Sequence, residues 1–105
     1  MREERITKLK ALLEQDPNVS FSRYALALEY AAIDHNAESL ALLETLLQRD
    51  RLYVPAYQQL GYMYQKLGRT EEAVSAFKRG IELAAQQGDH HALSEMKDAL
   101  DDVTP

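Results

Sequence analysis

The sequence predicts an all-α fold, a short right-handed solenoid of six helices packed as antiparallel pairs, and three observations predict it. First, the chain agrees with itself when displaced by 34 positions: Leu26 falls on Leu60, Tyr30 on Tyr64, Leu40 on Val74, Leu43 on Phe77 and Leu47 on Ile81. Displaced the other way, Ile6 falls on Leu40, Leu9 on Leu43, Leu12 on Leu46, Leu13 on Leu47 and Asp16 on Asp50. Second, apolar residues within each segment recur at the spacing of one helical face. Third, the segments are separated by short turns, and none of them alternates as a strand would. Helices joined by short turns pack as antiparallel neighbours. A fixed period then lays each pair on the previous one in the same way.

The elements follow in order. Arg2 to Gln15 carries Ile6, Leu9, Leu12 and Leu13 at helical spacing and stops at Asp16-Pro17-Asn18. Ser20 or Ser22 is the expected cap of a second helix that runs to about Asp34. His35-Asn36 is read as a tight turn, and a third helix follows from Ala37 to Arg49 with Leu40, Leu43, Leu46 and Leu47 on one face. Pro55 suits the first turn of a fourth helix, where its missing N–H is not needed. That helix ends at Leu67-Gly68, where glycine is free to take a left-handed conformation. Thr70, Glu71 and Glu72 open a fifth helix with the negative charge that the macrodipole favours at its N-terminus. It runs to Ala85 or Gln87 and stops at Gly88; Asp89 then caps a sixth, from His90 to Asp101. The organisation is one domain: a half-repeat helix over 1–17, repeats over 20–53 and 54–87, and a capping helix over 88–102.

Composition narrows the function. The chain has 105 residues, 46% of them hydrophobic, which is enough for a continuous core in one domain. Its formal net charge of −5 argues against nucleic acid, whose phosphates require clustered Lys and Arg. It contains no cysteine, so disulfides, thiolate metal sites and a cysteine nucleophile are excluded. No run approaches the ~18 apolar residues of a membrane span, and the N-terminus lacks a signal-peptide core. A cytoplasmic protein that meets neither membrane nor nucleic acid is the expectation.

The segment Tyr57-x-x-Leu60-Gly61-x-x-Tyr64, followed by Ala73-x-x-x-Phe77, resembles the signature of the tetratricopeptide repeat family, in its small bacterial form. Tyr57 stands where the signature opens with Trp, and Ala85 where it closes with Pro. In the first repeat the equivalent places hold Arg23, Leu26, Ala27, Tyr30, Ser39 and Leu43. Gly61, Ala27 and Ala73 are small where helices would cross closely, and Tyr64, Tyr30, Phe77 and Leu43 are large enough to fill the adjoining space.

The resemblance implies a protein-interaction module, an adaptor or assembly factor. In such modules the first helix of each pair lines a concave groove that takes a peptide or partner domain. The floor of that groove would hold Phe21, Tyr24, Ala25 and Leu28 from one helix. Gln58, Gln59, Tyr62, Gln65 and Lys66 would come from the next, with His91 or Glu95 at one end. The family's Lys, Asn and Arg clamp for a C-terminal carboxylate is missing, since equivalent places hold Tyr24, Leu28 and Gln59. A second reading is self-association, with the unpaired first helix docking on another copy to give a homo-oligomer.

Catalysis and metal binding are not expected. His90 and His91 are adjacent, so on a helix they diverge by about 100°, and His35 is a turn residue. Asp98, Asp101 and Asp102 suit the polar outer face that a terminal helix needs. There is no glycine-rich phosphate loop and no nucleophile elbow. Arg2, Arg5, Lys8 and Lys10 read as a solvated basic face offset by Glu3 and Glu4. No enzyme activity, cofactor or metal is therefore assigned.

Overall fold

The computed structural model of the chain describes residues 1–104. They form six α-helices and no strand: α1 (Arg2–Gln15), α2 (Ser20–Ala32), α3 (Asn36–Arg49), α4 (Val54–Lys66), α5 (Thr70–Gln87) and α6 (His90–Val103). The helices divide between two compact units, one spanning Met1–Arg51 and the other beginning at Leu52.

In the first unit α2 packs against both α1 and α3. Its core is Leu26 and Ala27 of α2 with Leu40, Leu43 and Leu46 of α3. The Ser39 hydroxyl, itself buried, donates to the Ala27 carbonyl at 2.9 Å and so ties α3 to α2. Ser20 Oγ donates to Asp50 Oδ2 at 2.7 Å, which fixes the start of α2 against the end of α3. The serine cap expected for α2 is not made: Val19 is the N-cap and no side chain bonds the free N–H groups. Ser20 is already spent on Asp50, and Ser22 is buried within the helix.

In the second unit α5 packs against α4 and α6, and α4 also touches α6. Phe77, Ala73, Ala84 and Leu83 of α5 meet Val54, Ala56, Leu60 and Met63 of α4 and Met96 of α6, all buried. Gly61 lets α4 come close: a Cβ built there would stand 2.6 Å from Phe77 Cδ1. Pro55 lies in the first turn of α4 as expected. Asp89 caps α6, its carboxylate accepting from the Ala92 N–H at 3.1 Å.

The ends of α2 and α4 close alike. The His35 N–H bonds to the Tyr30 carbonyl at 2.9 Å and the Arg69 N–H to the Tyr64 carbonyl at 2.8 Å. The residue passed over is left-handed in each case, Asp34 with φ 60° and Gly68 with φ 76°. These are the C-terminal closures that a left-handed residue makes possible. Accordingly α2 stops at Ala32, short of the expected Asp34, and Asn36 belongs to α3 instead of a turn. At the other end of the chain α6 continues past Asp101 to Val103.

Candidate functional site

The first unit carries an apolar face that its own core leaves uncovered, and the second exposes part of the Tyr62 ring. On α2, Phe21 is 65% exposed and Leu28 37%, with Tyr24 and Ala25 half-buried between them. Phe21, Tyr24 and Leu28 recur at three and four residues, so they form one stripe along the helix. The sequence expectation for the first unit thus lands on a single face.

That face extends onto α1. Leu9 and Leu12 of α1, with Ala25 and Leu28 of α2, line an open cleft of about 690 Å³. Arg2, Arg5, Lys8 and Glu29 complete its lining. Glu29 accepts from Arg2 at 2.5 Å and from Arg5 Nε at 2.6 Å, and its side chain is only 15% exposed. Two guanidinium groups on one sheltered carboxylate lock α1 to α2, as charge-assisted bonds of this kind do. The α1 basic residues are therefore partly used, whereas the sequence suggested only a solvated face. Lys10, on the same helix, lies 5.8 Å from the Tyr30 ring centroid. The Tyr30 hydroxyl beside it favours the protonated form and raises the ammonium pKa.

On α4 of the second unit, Tyr62 is 37% exposed and its ring meets Phe77 edge-on, centroids 5.5 Å apart. Gln58 Nε2 donates to Tyr62 Oη at 3.0 Å, the two standing four residues apart on one face. Gln59 is half-buried, and Gln65 and Lys66 are exposed. The Tyr62 ring is therefore held by Phe77 beneath and Gln58 beside it, with its outer edge in solvent.

Two of the three histidines, His35 and His91, make local contacts. His35 stacks on Tyr30, ring centroids 5.9 Å apart. His91 Nε2 lies 3.1 Å from Glu95, and both are exposed. Among the described residues no group of three or more His, Asp or Glu is gathered as metal ligands would be, and no helix is long and apolar enough to cross a membrane.

A tetratricopeptide repeat family model matches residues 54–87. A tetratricopeptide repeat domain protein from Salinibacter ruber, solved in solution, is 41% identical over 84% of this chain and 89% of its own, with a TM-score of 0.78. The chain belongs to the tetratricopeptide repeat family. The crystal form of the Salinibacter domain agrees, at 40% identity over 80% of this chain and 93% of that one, TM-score 0.76. A protein from Bordetella parapertussis is 26% identical over 93% of this chain and 85% of its own, TM-score 0.81. No functionally curated protein matches the sequence.

Tetratricopeptide repeats serve in general as protein-interaction and scaffold modules, and this chain has that fold. The signature residues take structural places in the second unit: Leu60, Gly61, Tyr64, Ala73 and Phe77 are all buried, and Tyr57, in the Trp position, is half-buried. The signature therefore accounts for the packing, and the uncovered faces lie outside it. Sequence reading named Phe21, Tyr24, Leu28, Gln58, Gln59, Tyr62, Gln65 and Lys66 as groove residues; it did not name Leu9, Leu12 or Glu29, which line the cleft on α1 and α2. The available signal was the match of Leu9 and Leu12 to Leu43 and Leu46, core residues that have a helix laid over them.

Proposed function

We propose that this chain is a binding module, an adaptor or assembly factor that takes a peptide or partner domain on its first-of-pair helices, α2 and α4. The observation that carries the reading is the exposure of large apolar side chains there, Phe21 and Leu28 on α2 and Tyr62 on α4. Exposed apolar groups set among amides are the composition of a recognition surface, and aromatic rings are its usual anchors. Tyr24 adds a second ring on α2; Gln58, Gln59 and Gln65 supply hydrogen-bonding groups, and Lys66 favours an acidic partner residue through steering. No step of bond chemistry belongs to this role, and none of these groups needs a cofactor.

Affinity capture from the native cell tests the proposal, with wild-type protein against Phe21→Asp. Phe21 is mostly in solvent, so the substitution leaves the core alone. The expected result is a protein retained by wild type and lost from the variant. The same proteins retained by both would contradict the role given to α2.

A further inference from the structure

The three repeat-related helices α1, α3 and α5 differ in what covers them. Leu9, Leu43 and Phe77 occupy one register position. Leu43 is 1% exposed and Phe77 0%, whereas Leu9 is only half-buried. At the next position Leu46 is 1% exposed and its counterpart Leu12 50%. Inside the first unit the reason is visible. The face of α3 that holds Leu43 and Leu46 lies under α2, and no residue of α1 is fully buried. The cleft on α1 and α2 is thus the place where, by the unit's own geometry, one more helix would lie.

We propose that this cleft binds an amphipathic helix of a partner protein, acidic on the faces that flank its apolar stripe. The proposal rests on the interaction-module reading and names a site and partner chemistry for it. The shape argument comes from the helices that cover the equivalent positions. α2 and α4 present the same face, Leu26-Ala27-x-x-Tyr30 and Leu60-Gly61-x-x-Tyr64, a small residue beside a leucine and a ring one turn on. A helix of that pattern brings its small residue over Leu9 and buries Leu12.

The charge argument fixes the partner further. The cleft is lined by Arg2 and Arg5, both bonded to the Glu29 carboxylate, and by Lys8, a net positive lining on a chain of net charge −5, with Glu3 and Glu4 on the neighbouring face of α1. An acidic helix complements it. A second copy of this chain offers no free face of that pattern, because the matching faces of its α2 and α4 are already packed on α3 and α5.

The test uses the full chain and a fluorescent, stapled helical peptide of about four turns. The peptide carries Leu-Ala-x-x-Tyr on one face and glutamates beside it; a second version has lysines in place of the glutamates. The glutamate peptide should bind, and Leu12→Glu should weaken it about tenfold or more, as loss of a central apolar contact does. Lys8→Glu should weaken it several-fold, and the lysine peptide should bind less well than the glutamate one. Leu12 and Lys8 are both exposed, and circular dichroism verifies that each variant stays folded. In nuclear magnetic resonance spectra of the 15N-labelled chain, shifts should centre on Leu9, Leu12 and Ala25. Absence of binding, or binding indifferent to both variants, overturns the proposal. So does a dimer in light scattering that Leu12→Glu dissolves, since a second copy would then fill the cleft. Shifts centred on Gln58 and Tyr62 overturn it too, while leaving the α4 part of the proposed function standing.

Discussion

The ring of Phe77 lies directly against the Cα of Gly61, in the space that any side chain at that position would occupy. Three atoms of the ring edge would fall within 2.6 Å of an added Cβ, and Phe77 is wholly enclosed. The pair joins the small and the large residue of the repeat signature in one contact, and α4 rests on α5 through it.

Substitution at Gly61 should therefore destabilise. Gly61→Ala and Gly61→Leu should cost ~1–3 kcal/mol by overpacking, with Leu the worse. Thermal melts followed by circular dichroism measure this. An unchanged melting temperature for Gly61→Leu would show that α4 and α5 do not meet in this register.

Gly80 provides an internal comparison. A Cβ there would meet Met96 Sδ and Cε, and Tyr57 Cβ at 3.1 Å. Met96 ends in a flexible thioether that can turn aside, whereas the Phe77 ring cannot. Gly80→Ala should cost less than Gly61→Ala, and the two melts side by side check the order.

The helix ends yield a third prediction. Gly68 and Gly88 are left-handed, with open space around the missing Cβ. Gly68→Ala should destabilise by about 1 kcal/mol through backbone strain alone. Asp34 occupies the position equivalent to Gly68 with the same handedness, so Asp34→Gly should be tolerated far better than Gly68→Ala. Urea denaturation of the two variants compares them.

These positions show what the sequence could and could not tell. The number and order of helices were legible because the 34-residue match and the leucine spacing are dictated by burial, which the structure repeats in α3 and α5. Gly68 and Gly88 announced their helix ends because glycine has few other reasons to stand there. Asp34 gave no such notice, since an aspartate is rarely left-handed, and only its alignment with Gly68 reveals the shared closure. The cap of α2 was misread because Ser20 bonds a residue thirty positions away, a partner that local sequence does not announce. Of the candidate site, the exposed stripe on α2 followed from helical spacing. The contribution of α1 did not, because the Arg2 and Arg5 bonds to Glu29 are long-range.

Those bonds lead to a fourth prediction. Glu29→Gln removes the charge that holds both guanidinium groups while keeping the shape. Both arginines reach solvent and are screened there, though Glu29 is sheltered, so each pair should contribute about 1 kcal/mol or less and the global melt should move only a little. Amide exchange in α1 should quicken while that in α5 stays as it is. Equal protection of α1 in both proteins would mean that its apolar contacts alone secure it.

The most direct test of the interaction role combines Tyr24→Ala with Tyr62→Ala in one chain. Circular dichroism and titration calorimetry against the captured partner are measured on the same sample. With the helical signal intact, binding should weaken by ~2 kcal/mol or more, as loss of aromatic anchors requires. An unchanged affinity in a folded variant would contradict the role assigned to α2 and α4, and loss of the helical signal would show that the two rings serve the core.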